Sequence, residues 1–93
     1  MLQLTPEAAR RIDELRAHDG AALENVLRIS QAYETRKPGV RISFVADPHD
    51  GDQVGESEGI RLCIDHAVAD VLDGMVLDRR PEDATGLFIR PAD

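Results

Sequence analysis

Apolar and polar positions follow two rhythms along these 93 residues, and each rhythm predicts its own kind of element. Ala8, Ile12 and Leu15 fall at i, i+4 and i+7 with Ala9 beside them, which makes one apolar stripe of a helix. Thr5-Pro6-Glu7 starts that helix: Thr5 can cap it, Pro6 has no N–H to leave unpaired, and Glu7 meets the positive end of the dipole. Gly20 supplies the stop, so the spacing predicts a helix over about 6–18. Glu7 and Arg11 stand at i,i+4 in the favourable order for an ion pair. Before the helix, Met1–Leu4 alternates and reads as a short edge strand.

From Val26 the period changes to two. Leu27 and Ile29 share one face while Arg28 and Ser30 share the other, predicting a strand over 26–33. The polar run 34–39 ends in a Pro38-Gly39 turn signal. Val40, Ile42 and Phe44 then alternate with Arg41 and Ser43, a second strand that pairs with the first as a hairpin. The stretch 47–52 is loop, and Gln53–Ser57 is a short strand. Gly59 turns the chain into a strand where Ile60, Leu62 and Ile64 point one way, Arg61 and Cys63 the other. Asp65 caps a short helix over about 66–72 with Val68, Val71 and Leu72 as its apolar face. Asp73-Gly74 turns into a strand over 75–79, residues 81–83 are loop, and 85–90 form a last strand ended by Pro91. The order of elements gives an α+β, mainly β fold and a single domain over 1–93.

Composition narrows the core and the partners. Tyr33, Phe44 and Phe88 are the only large rings, so the interior is aliphatic. A domain of this size is thinly stabilised, and self-association is a common remedy. The formal charge of −7 disfavours a nucleic-acid backbone as partner. A lone cysteine rules out an internal disulfide framework. The opening residues carry neither a basic region nor an apolar run, and nothing approaches a membrane span, so the expected location is the cytoplasm.

Three stretches invite chemistry. Asp47, Asp50, Asp52, Glu56 and Glu58 form an acidic run, but glycine is missing where a calcium loop must turn sharply, and the run reads as a solvated, charged loop. Cys63 and His66 stand three apart, the spacing of half a zinc site, with no second pair in the chain, since His18 and His49 are isolated. Cys63 and His66 could also act as nucleophile and base, with Cys63 two residues before a helix cap. No oxyanion hole accompanies them, and Cys63 reads as a packed thiol.

The order of elements then meets specific residues. Leu4-Thr5-Pro6-Glu7-Ala8-Ala9, followed by Arg11-Ile12-Asp13-Glu14-Leu15, resembles the opening helix of the HesB/IscA-like family of iron–sulfur cluster biosynthesis proteins. Gly59-Ile60-Arg61-Leu62 through Ile64-Asp65, with Leu72-Asp73-Gly74 and Leu77-Asp78, is similar to that family's central strand–helix–strand. Asp50-Gly51-Asp52-Gln53-Val54 and Gly86-Leu87-Phe88-Ile89-Arg90-Pro91 fit on either side. The resemblance implies a compact β-sandwich or barrel-like domain with an N-terminal helix, often self-associating. It also implies a carrier or scaffold holding a cluster, or iron, on three cysteines: one in the loop after the first core strand, two in a Cys-Gly-Cys near the C-terminus.

This chain departs from the pattern at each of those positions. The loop 31–39 has no cysteine, the sequence reaches Asp93 without a Cys-Gly-Cys, and Cys63 matches none of the three. Three readings follow. The first is a divergent HesB-like protein without cluster ligands, not an enzyme, with no cofactor, no catalytic or metal-binding residues, and an accessory or protein-interaction role. The second is a cluster or metal carrier that uses Cys63 across an oligomer. The third is a small thiol enzyme using Cys63 and His66.

Overall fold

The computed structural model describes residues 1–22, 24–33, 38–82 and 86–92. Strand β1 (Gln3–Leu4) precedes helix α1 (Pro6–Asp19), strands β2 (Val26–Tyr33), β3 (Pro38–Val45), β4 (Gln53–Ser57) and β5 (Ile60–Ile64), helix α2 (His66–Leu72), and strands β6 (Met75–Arg79) and β7 (Leu87–Pro91). Two sheets share one core without closing into a barrel. One has three strands in the order β1-β6-β7, the other four in the order β3-β2-β5-β4. Both are mixed, since β1 runs parallel to β6 and β2 parallel to β5. The expected α+β, mainly β architecture is present.

Helix α1 begins and ends as its sequence dictates. Thr5 Oγ1 accepts the Ala8 N–H at 3.1 Å, and Pro6 takes the first turn. Gly20 closes the helix in the left-handed region at φ 69°, a conformation that other residues adopt only with strain. Glu7 sits 3.7 Å from Arg10 and Arg11 3.9 Å from Glu14, so these ion pairs run i,i+3 along the exposed side. The apolar stripe of Ala8, Ala9 and Ile12 is buried. Arg16 is buried with it, its guanidinium held by Asp13 at 3.1 Å and lying 5.5 Å from the centre of the Phe44 ring.

The inward face of the four-stranded sheet carries Leu27, Ile29, Leu62 and Ile64, with Ile42 and Phe44 packed at its margin. Leu4, Leu77 and Leu87 come from the other sheet, and Ile12, Val68 and Leu72 from the helices. Ser57 ties the two sheets together: its Oγ accepts the Leu4 N–H at 3.0 Å and donates to Gln3 Oε1 at 3.2 Å. Between β4 and β5 the turn is only Glu58-Gly59, with φ of 51° and 77°. Two successive positive φ values define a type I′ turn, whose twist matches that of the strands it joins.

Some expectations are corrected. Pro38-Gly39 is not the turn but the start of β3, paired with Tyr33 and Ala32. Proline is tolerated there because β3 is an edge strand, and its first residue need not donate to a ladder. Val71 is not on the buried face of α2; it is 74% exposed. Val68 and Leu72 lie about 40° apart at roughly 100° per residue, and half-buried Ala69 extends that face on one side, which turns Val71 to water. The last strand runs to Pro91. The sequence readings at Leu23, 34–37, 83–85 and Asp93 fall outside the described residues. Among the described residues no helix is long and apolar enough to cross a membrane.

Candidate functional site

Strand β5 places Cys63 in register between Arg28 of β2 and Val54 of β4. Its neighbours Leu62 and Ile64 enter the core, so Cys63 is on the outer face of the sheet, opposite the core, as the alternation predicts. It is nonetheless 0% exposed. Burial, and then the adjacent Asp52 carboxylate, push its thiol up to about 11. A thiol so placed is a poor nucleophile at neutral pH, because the thiolate is the reactive form.

His66 does not join it. As the first residue of α2 it is 78% exposed in its side chain, with Nδ1 3.3 Å from Asp65 Oδ1 and close to Gly51. His18 lies in the last turn of α1 and His49 between β3 and β4, both exposed. Among the described residues no three His, Cys, Asp or Glu side chains are grouped so as to hold a metal ion. The half-zinc spacing and the nucleophile–base pairing therefore bring together one enclosed sulfur and one solvated imidazole.

The polar centre of this face is a grouping that periodicity does not single out. Asp52 departs from the solvated loop expected of the acidic run: its side chain is 1% exposed. Arg28 reaches it from β2 with two hydrogen bonds, Nε to Oδ2 at 2.9 Å and Nη2 to Oδ1 at 3.1 Å. The His49 N–H donates to Oδ2 at 2.9 Å. Arg28 Nη2 also donates to Asp65 Oδ2 at 3.3 Å, while Asp65 Oδ1 caps α2 by accepting the Ala67 N–H at 2.9 Å.

Burial acts to raise the Asp52 carboxyl, but the hydrogen bonds from Arg28 and His49 outweigh it and hold it below the ordinary range. The Asp52 bond in turn raises Arg28, against its own burial. Asp65 is held down chiefly by the Ala67 N–H. Asp47, Asp50, Glu56 and Glu58 stay exposed, so one member of the acidic run has turned inward and the others remain in water. The signal for this was Arg28 itself. A cation in the middle of a strand, between buried Leu27 and Ile29, needs a carboxylate wherever its face is covered.

Chemically, the arrangement offers an immobilised guanidinium–carboxylate network over a masked thiol. The three-thiolate ligand set that the resemblance implies cannot be formed from one cysteine, and a cluster's iron sites need several soft, charged sulfur donors. The residues present do not fit that group within one chain.

Solved structures match the fold over nearly the whole chain. The chain is similar to IscA crystallised with a [2Fe-2S] cluster, at a TM-score of 0.76 and 28% identity, covering 97% of this chain and 82% of that one. A protein from Aquifex aeolicus solved in solution by NMR matches at a TM-score of 0.72 and 24% identity, over 96% of this chain and 89% of that one. SufA of Escherichia coli, involved in biosynthesis of iron–sulfur clusters, matches at 0.67 and 23%, over 96% of this chain and 81% of its own. The last two show the fold alone. No protein-family model matches the chain, and no curated protein does.

Proposed function

From the premise that this chain is HesB/IscA-like over nearly its whole length and holds one cysteine, we propose that it carries no cluster of its own and serves a non-enzymatic, accessory or protein-interaction role. The observation that supports this reading is the state of Cys63. The chain's single thiol is enclosed and is pushed up to about 11 by burial and then by Asp52. Holding an iron–sulfur cluster needs several thiolates that reach the iron together. A carrier built from Cys63 of two copies would need that sulfur at a surface, and in the folded chain it lies beneath Asp52. A thiol enzyme would need His66 beside it.

The surface is acidic, at a formal −7, which suits a basic protein partner better than a phosphate backbone. We place the protein in the cytoplasm, with self-association as a further way to stabilise so small a domain.

Anaerobic reconstitution with iron and sulfide tests the reading. The expected product is colourless, without charge-transfer absorption above the protein band, and free of iron after desalting. Stable, stoichiometric iron and sulfide that disappear in Cys63→Ser would overturn the proposal in favour of a carrier.

A further inference from the structure

Cys63 is hidden where an outward-facing side chain would ordinarily meet water. Register places Ser43, Arg28, Cys63 and Val54 in one row across the outer face of the four strands. Val54, at the end of that row, is exposed, while Cys63 beside it is fully enclosed. The concealment does not come from the core, because Cys63 is no part of the core cluster.

It comes from the connection between β3 and β4. Residues 46–52 leave β3 at Val45, beside Val26, and enter β4 at Gln53, beside Ile64. Since the sheet order is β3-β2-β5-β4, this segment must pass both inner strands diagonally, over the Arg28–Cys63 row. Asp52, its last residue, is what fastens it there, through the two bonds to Arg28. The other carboxylates of the segment, Asp47 and Asp50, face water.

We propose that the 46–52 crossing is a cover, clasped by Asp52 on Arg28, that lifts in a local opening and presents the Cys63 thiol while both sheets stay folded. Segments held by few bonds and little apolar contact open at free energies well below that of the whole domain. Release carries the Asp52 charge away from the sulfur and leaves Arg28, still bonded to Asp65, beside it. The motion that uncovers the thiol therefore also favours its thiolate. This device operates whether or not the chain ever holds a metal.

The test is alkylation of the full chain by iodoacetamide in rising urea, below the unfolding transition, with the Cys63 adduct counted by mass spectrometry. A local opening gives a rate that does not depend on urea, because little surface is exposed in it. Asp52→Asn should raise that rate by about tenfold or more, a clasp bond being worth at least that factor. Ile12→Val trims the core on the far side of the sheet and should leave the rate unchanged. A rate that climbs with the slope of global unfolding would overturn the proposal, as would equal acceleration by both variants or none by Asp52→Asn. If Asp52→Asn fails to fold, the urea series on the unaltered chain decides alone.

Discussion

The two sheets are each fastened by an aspartate that gathers three donors, but in different surroundings. On the four-stranded sheet Asp52 is 1% exposed, Arg28 is 11% exposed, and the bonds close a connection onto a sheet face. On the three-stranded sheet Asp78 accepts from Thr5 Oγ1 at 2.9 Å, the Arg79 N–H at 2.8 Å and Arg90 Nε at 3.0 Å, with the two charged side chains 25% and 38% exposed. The chemistry is alike, and the second group keeps far more water. Solvent screens the Asp78 group and can replace any partner it loses, whereas Arg28 without Asp52 would keep only the single, longer bond to Asp65. An aspartate's importance here is set by the water it has given up, more than by its number of hydrogen bonds.

The largest expected effect is at the buried group. Asp52→Ala should cost about 3 kcal/mol in urea unfolding, because it takes away both short bonds to the covered Arg28 guanidinium and leaves it only the longer one to Asp65. The pair Arg28→Met with Asp52→Leu should be less destabilised than Asp52→Ala alone, since it removes both charges together. A double variant no better than the single one would show that the bonds themselves, and not the stranded charge, matter.

Acid comes next. Asp52, Asp65 and Asp78 all lie below their ordinary carboxyl range in the folded chain. Their stabilisation is therefore complete above the unfolded value of about 3.9 and is lost as the pH falls through the folded values. The urea midpoint should hold steady from neutrality down to about pH 5 and then drop, with a shallower drop in Asp52→Ala. A midpoint that is flat into strong acid would remove the argument for either group.

At the solvated group the changes are smaller. Thr5→Ala removes both the cap of α1 and the bond to Asp78, and should cost about 1 kcal/mol in the same unfolding measurement. Asp78→Asn should be milder than Asp52→Ala by that assay; equal losses would erase the contrast between buried and wet. Smallest of all, Val71→Lys should stay within about 0.5 kcal/mol of the unaltered chain, because the side chain it replaces is already in water.

Most of the elements were legible from the sequence. The capping residues Thr5 and Asp65, the period of two in β2, β3 and β5, and the turn signals at Gly59 and Gly74 are local chemistry, and local chemistry is written in neighbouring residues. The outward turn of Val71 is not legible, because a seven-residue helix has too few turns for its sequence to fix which way its stripe faces. The Asp52 grouping was not legible for a different reason. Arg28, Asp52 and Asp65 are far apart in the chain, and only the strand order, with β2 between β3 and β5, makes them neighbours. The enclosed position of Cys63 follows from the same crossing. Alternation correctly turned it away from the core but could not reveal that another segment lies on top.

The parallel pairing of β1 with β6 bears on how the protein is made. Gln3 meets Val76 and Leu4 meets Leu77, so β1 has no strand to pair with until residue 77 has been synthesised and has come back to the start. The hairpins β2–β3, β4–β5 and β6–β7 close short loops and can form early. Joining β2 to β5, and β1 to β6, must wait for long loops to close. Contacts of that range place the folding rate in the slow, millisecond-to-second class of β-rich domains, with the first strand among the last pieces to dock.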